Sequence, residues 1–228
     1  MEQFINRKRR DGRVLRRVIF LIAFLVGGAL LVFSFYPALL SAGGKYLAPQ
    51  GVGKADVVII EGTEIIKERT VRVGMELISS GRAKRLVVVY HDSDERPMGL
   101  PNPYDFFLRQ KINDWGLHQD QIRVYIVPKE HPITLNEARI VLSKLVVDKT
   151  QKAILLAENF HTRRSYWAYK VVGKTFGVDI ISYPYFSGFK IDSWWQNAEG
   201  FRNFFGEGIK FLYYVLRGYI PIESLVTT

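Results

Sequence analysis

From Val18 to Tyr36 the chain reads VIFLIAFLVGGALLVFSFY, without one charged residue, directly behind the arginine-rich stretch NRKRRDGRVLRR. About 20 apolar residues span the hydrocarbon core of a bilayer, and a helix satisfies its own backbone polar groups there. The run predicts one membrane-spanning helix over residues 18–40, with the basic tail 1–17 held on the cytoplasmic side. The remainder of the chain then faces the periplasm or cell exterior, tethered to the plasma (inner) membrane. A secretory signal also begins basic and turns apolar, and Leu40-Ser41-Ala42-Gly43 offers a cleavage sequence. Signal apolar regions run only about 7–15 residues, however, so an uncleaved anchor is the expectation.

Arg7, Lys8, Arg9, Arg10, Arg13, Arg16 and Arg17 outnumber Glu2 and Asp11, so half of the net charge of +10 lies in the first 17 residues. The basic balance is largely an orientation signal, helped by anionic lipid, and does not argue for a nucleic-acid partner. The absence of cysteine excludes disulfides, thiol catalysis and thiolate metal sites.

Residues 41–54, SAGGKYLAPQGVGK, read as a short glycine-rich linker. Apolar, β-branched runs then alternate with helical patterns. Strands are expected at 55–60, 85–90, 122–127, 153–157 and 178–183, with the first two reading as strands buried in the sheet. Helices are expected at 64–80, 104–115, 134–147 and 162–174, with an aromatic-rich helix near 193–217 and a polar loop at 91–103. Thr134 and Glu137 have the spacing of a capping box. The alternation predicts an α/β, Rossmann-like three-layer domain with a mostly parallel sheet over residues 55–217, followed by a tail, 218–228.

In such a sheet, ligands bind beyond the carboxyl ends of the strands. Those ends carry Glu61-Gly62-Thr63, His91-Asp92, Glu130-His131 and Glu158-Asn159-Phe160-His161-Thr162-Arg163-Arg164, so three of the four histidines fall on one edge. A solvated rim explains part of this pattern, because charged residues gather wherever strands leave a core. The last segment is the most pointed. Two arginines in the first turn of a helix are locally unfavourable unless an anion, or an internal carboxylate such as Glu158, compensates them. His161 suits proton transfer near neutral pH, and Arg163 and Arg164 suit an anion clamp. His91, Asp92 and His131 are ligand types for zinc or manganese, but without a metal-binding spacing. There is no GxGxxG and no P-loop, and no cofactor is named by the residues. The aromatic C-terminal segment, with Trp194, Trp195, Phe201, Phe204 and Phe205, reads as packing against the sheet, or in part as a surface for the membrane interface.

The order of elements, the helix opened by Thr134, the segment Phe160-His161-Thr162-Arg163-Arg164 and the late Glu207-x-x-Lys210 resemble the SanA/YdcF/ElyC-type family over roughly residues 55–214. The chain departs from that pattern where Glu61-Gly62-Thr63 replaces a glycine run and Tyr90-His91-Asp92 replaces Ser-Gly-Gly. It keeps Glu130 and Thr134, and Asn136-Glu137 stands where Glu-Asn is usual. The resemblance implies a single-pass envelope protein linked to barrier function and to peptidoglycan or lipid-carried glycan assembly, and, through one branch, to S-adenosylmethionine.

Together these readings predict a membrane-anchored envelope protein whose strand-end crevice binds or acts on an anionic ligand, a phosphorylated and lipid-linked glycan. His161, Glu61 and Glu130 are the expected proton-transfer residues, and Gly62, Thr134, Asn159, Arg163 and Arg164 the expected ligand-binding residues. A non-catalytic interaction protein of an envelope complex is the alternative, and a nucleotide or S-adenosylmethionine binder a third.

Overall fold

The computed structural model describes residues 2–92 and 118–227. It divides into two units, Met1–Ala42 and Gly43–Thr228. The first lies within helix α1, Glu2–Leu47, whose stretch Arg16–Leu47 has a mean hydropathy of 2.8 over its most apolar window and is long and apolar enough to cross a membrane. A signal sequence near the N-terminus passes the same test. The final turn of α1, from Gly43, belongs to the second unit.

That unit is built on five strands: β1 Val57–Thr63, β2 Arg85–Asp92, β3 Ile122–Pro128, β4 Lys152–Glu158 and β5 Asp179–Tyr185. All pair in parallel in the order β3-β2-β1-β4-β5, with Val57 opposite both Arg85 and Ala153. The β-branched runs recognised in the sequence are these strands. In the central strands the residues are buried whichever way they point, as β1 shows from Val57 to Ile60, whereas the edge strand β3 leaves Arg123 and Ile126 exposed. Alternate side chains such as Val58, Ile60, Leu86, Val88, Ile154 and Leu156 join Val71 and Leu77 of helix α2, Glu68–Ser79, in one apolar cluster. Helices α3, Ile133–Val147, and α4, Thr162–Phe176, complete the layers, and α5, Ala198–Leu216, packs beside α4.

Four expectations are corrected. Helix α2 begins at Glu68 rather than Glu64, because Thr63 Oγ1 captures the Ile65 amide (3.2 Å) and keeps that stretch in a turn. No capping box forms at Thr134: α3 starts at Ile133 behind Pro132, and the Thr134 and Glu137 side chains are drawn inward to partners described below. The 41–54 stretch is not a free linker. It is helical through Leu47, Leu47 and Ala48 are buried, and the Gly51 amide donates to the Ser182 carbonyl (2.8 Å). Its glycines reflect close packing: a side chain on Gly44 would meet the Trp194 ring. The 218–228 tail likewise belongs to the domain, with Ser224 fully buried. The helix expected at 104–115, and most of the loop before it, lie outside the described residues.

Candidate functional site

The chain order runs outward from β1 through β2 to β3, then returns to place β4 on the other side of β1. The crevice between the ends of β1 and β4 is therefore the topological switch point, where an open parallel sheet leaves room for a ligand. A cavity of about 320 Å³ opens there. Glu61, Gly62 and Thr63 from β1, Glu158 and Asn159 from the end of β4, and His161 contribute to its lining, joined by Lys67, Tyr185, Asn203 and Glu207.

A tight turn aims His161. Asn159 adopts a left-handed backbone (φ 54°), a conformation asparagine tolerates better than most residues, and the chain completes one 3₁₀ turn before α4 begins. Thr162 Oγ1 fastens that turn by donating to the Asn159 carbonyl (2.7 Å). His161 then lies between two carboxylates, with Nε2 2.6 Å from Glu61 Oε1 and Nδ1 2.9 Å from Glu207 Oε2. Burial and the neighbouring Arg164 guanidinium work against a charge on the ring. Glu61 and Glu207 outweigh them, and the imidazole is pushed up to about 9. At neutral pH it is an imidazolium donating from both nitrogens.

Glu207 is the hub. Its Oε2 also receives Nε and Nη2 of Arg164 (3.2 and 3.0 Å), and its Oε1 receives Lys210 Nζ (2.8 Å). Burial alone would favour its neutral form, but the bonds and charges of His161, Arg164 and Lys210 hold its carboxyl far below the usual carboxylate range. Arg164 Nη2 is 2.6 Å from His161 Nδ1, so two cations sit side by side on one carboxylate oxygen. The remaining arm of Arg164 donates to Thr134 Oγ1 (2.9 Å), and its guanidinium stacks 4.9 Å over Tyr214.

Glu61 uses one oxygen and leaves the other free. Its Oε1 accepts from both His161 and the Ser165 hydroxyl, while Oε2 is buried without a hydrogen-bond partner. Asn159 Oδ1 is a second buried acceptor without a partner beside the same cavity. Buried polar atoms are seldom left unpaired, and a donor supplied by a ligand or water satisfies them.

Behind β1 lies a second polar cluster. Glu137 accepts from the Gly62 amide (3.1 Å) and the Tyr169 hydroxyl (2.6 Å), and its other oxygen meets His91 Nε2 (2.7 Å). Burial and the adjacent Glu137 push the Tyr169 phenol well above its ordinary range, keeping it a donor. Gly62 is required here, because a Cβ at this position would collide with both the Glu137 carboxylate and the His91 ring.

The structure thus brings Glu61, Gly62, Asn159 and His161 together around one cavity, with Thr134 and Arg164 just behind them. Arg163 stands apart. Its buried guanidinium donates to the carbonyls of Tyr46 (2.9 Å), Ser224 (2.7 Å) and Thr227 (2.7 Å), and lies 3.7 Å from the Tyr46 ring centroid. It is a structural clasp rather than half of an anion clamp, because adjacent helical residues point about 100° apart. Glu130 and His131 are exposed on the loop after β3, away from the cavity lining. His91 engages Glu137, and the Asp92 side chain lies outside the described residues. Among the described residues, no three His, Cys, Asp or Glu are grouped to hold a metal ion.

Glu207, Ser165 and Tyr169 were not singled out as site residues by sequence reasoning. Glu207 had a signal: it lies three residues after Phe204 and four before Phe211, on the inward face of an amphipathic helix, where a carboxylate needs partners.

No family model matches the chain, and no curated protein matches it. Among solved structures, the U34-tRNA thiolase NcsA from Methanococcus maripaludis with its [4Fe-4S] cluster is similar at 9% identity and a TM-score of 0.34, over 80% of this chain and 77% of that one. A likeness at that level carries no argument about function. What fold and site define by themselves is an α/β domain with a switch-point cavity and a carboxylate–imidazolium–carboxylate array, behind a helix able to cross a membrane.

Proposed function

We propose that this chain is a membrane-anchored protein of the cell envelope whose switch-point cavity takes the hydroxyl-rich part of a lipid-linked glycan. One observation carries the reading: among the described residues, every cation at the cavity is already ion-paired with a carboxylate. His161 lies between Glu61 and Glu207, Arg164 and Lys210 are held by Glu207, and Lys67 Nζ contacts Glu158 Oε1 at 2.6 Å. Among the described residues, a phosphate entering here finds no positive charge that is not already paired, which moves the expected ligand from an anion to an uncharged donor-bearing group. Sugar hydroxyls meet that description, since Glu61, Glu158, Asn159 and Asn203 bring acceptors to the lining and Glu61 Oε2 and Asn159 Oδ1 have no partner within the protein. The lipid phosphate of such a ligand would stay outside, toward the membrane.

The array suits acid–base work on a hydroxyl. His161 and Ser165 orient Glu61 through Oε1, leaving Oε2 as the hydrogen-bond acceptor for a bound hydroxyl. Glu207 fixes the imidazolium as the carboxylate partner of a histidine does in other proton-transfer sites. The envelope setting rests on the apolar helix behind its basic tail and on the family resemblance, with the main domain outside the cytoplasm.

The test is a thermal-shift series on the full-length protein in nanodiscs, with an N-acetylated amino-sugar disaccharide in one arm and inorganic pyrophosphate in the other. A ligand at about 100 times its Kd adds roughly 2.7 kcal/mol of stability. The disaccharide is expected to raise the midpoint by several degrees in the wild type but not in Glu61→Gln or His161→Ala, and pyrophosphate to leave it unchanged. Stabilisation by pyrophosphate alone overturns the reading in favour of an anion site. Silence in both arms favours an interaction protein.

A further inference from the structure

Helix α5 exposes an apolar stripe. Phe201, Phe205, Ile209, Leu212 and Leu216 recur at helical spacing and are 50%, 48%, 68%, 51% and 86% exposed. The opposite face is committed to the domain through Glu207, Phe211 and Tyr214. Exposed leucines occur singly on most proteins, but five large apolar side chains in one line mark a surface that is covered in use. Beside the stripe runs an apolar groove of about 320 Å³, whose walls are Phe204, Phe205, Ile209 and Leu212 from α5 and Tyr46 and Leu47 from the end of α1.

We propose that this stripe rests in the interfacial layer of the bilayer that α1 enters. The inference rests on the membrane anchoring put forward above and not on the nature of the cavity ligand. Chain continuity argues for lipid as the occupant. The last turn of α1 packs on α5, so that a side chain on Gly43 would meet the Phe204 ring at 3.3 Å, and Gly43 follows directly on the apolar stretch of α1. The covalent chain alone therefore keeps this part of α5 within a few residues' reach of the point where the anchor leaves the membrane. The stripe is flanked along one side by exposed Arg202 and by half-exposed Tyr213, with exposed Arg217 at its C-terminal end. Apolar and aromatic residues rimmed by basic side chains are the composition of an interfacial helix, its rings among the headgroups and its cations on anionic lipid. A second copy fits less well, because an isologous pairing along α5 sets those basic residues against their own counterparts.

The chain has no cysteine, so single-cysteine variants of the full-length protein carry one fluorophore each. Labels at Ile209→Cys and Leu212→Cys are compared with an anchor label at Leu31→Cys and an exposed control at Val147→Cys. The protein is held at one copy per nanodisc containing phosphatidylglycerol. The readouts are quenching by shallow spin-labelled lipid and quenching by aqueous iodide. The expected result is strong lipid quenching and several-fold protection from iodide at 209 and 212, deep lipid quenching at 31, and iodide quenching alone at 147. If 209 and 212 behave like 147 while 31 is quenched by lipid, the stripe does not rest on the membrane. If 31 escapes lipid quenching, the anchoring fails and the inference with it. Protection at 209 and 212 that appears only with two copies per disc assigns the stripe to a second copy and overturns the proposal.

Discussion

Replacing Glu207 by glutamine removes one carboxylate from His161 while keeping the shape of the side chain, and the result can be read on the ring itself. In the wild type the imidazole is raised from 6.5 to about 9, with Glu61 and Glu207 overcoming burial and Arg164. At roughly 1.4 kcal/mol per pH unit, that gap represents about 3 kcal/mol of folding stability. The sign follows from the raised value: the contribution is fully present below pH 6.5 and is lost as pH rises through about 9. For a domain of this size, about 3 kcal/mol corresponds to roughly 6–12 °C in thermal midpoint. The chain has four histidines, so the imidazole carbon-bound protons can be assigned in a detergent-solubilised NMR titration by single substitution. His161 should be the resonance titrating near 9, and in Glu207→Gln it should fall well toward its ordinary range, because Arg164 loses its carboxylate partner at the same time and repels the ring. The alkaline loss of stability should shrink in that variant. A wild-type His161 that titrates at or below 7 would refute the sandwich of charges on which the site is built.

Other outcomes follow from the same geometry. Arg163→Met should lower the thermal midpoint by roughly 6–12 °C, since it strips three backbone carbonyls, that of Ser224 buried, of a charge-assisted donor worth about 3 kcal/mol together, while leaving cavity ligands bound. Arg163→Lys should rescue little, because one ammonium cannot reproduce the planar fork. Gly62→Ala should cost about 1–3 kcal/mol in denaturant unfolding by forcing Glu137 and His91 apart. Trp194→Ala removes a fully buried ring stacked 3.9 Å from Phe204 and should cost about 3–5 kcal/mol in the same assay. On the acid side, Glu207 contributes stability above its ordinary 4.5 that disappears as pH falls below it, so acid unfolding of Glu207→Gln should be flatter than that of the wild type.

Much of the fold was legible because a parallel sheet buried on both faces leaves continuous runs such as Val57–Ile60 and Leu86–Val89, which few other arrangements produce. The position of Glu61 and His161 was legible from the same source, since strand ends at a switch point are where polar residues converge. What the linear order concealed was rotation. Arg163 and Arg164 are neighbours in sequence, yet one reaches the chain's last residues and the other Glu207, and only the packing of α4 decides which. Glycine was ambiguous for a related reason: Gly43 and Gly44 suggest slack between two parts of a chain, but here they admit the Phe204 and Trp194 rings against a helix. Thr134 and Glu137 show the converse, a local pairing rule overridden because stronger partners, Arg164 and Tyr169, arrive from elsewhere.

The Arg163 clasp bears on how the protein is made. Its guanidinium is completed by carbonyls 61 and 64 residues further along the chain. At about 5–20 residues per second, a ribosome takes roughly 3–12 s to supply them. During that interval the first turn of α4 holds a cation that has no place in an apolar interior, beside the histidine on which the cavity depends. The first turn of α4 therefore acquires its last partners only once residue 227 has been made, after every strand of the sheet.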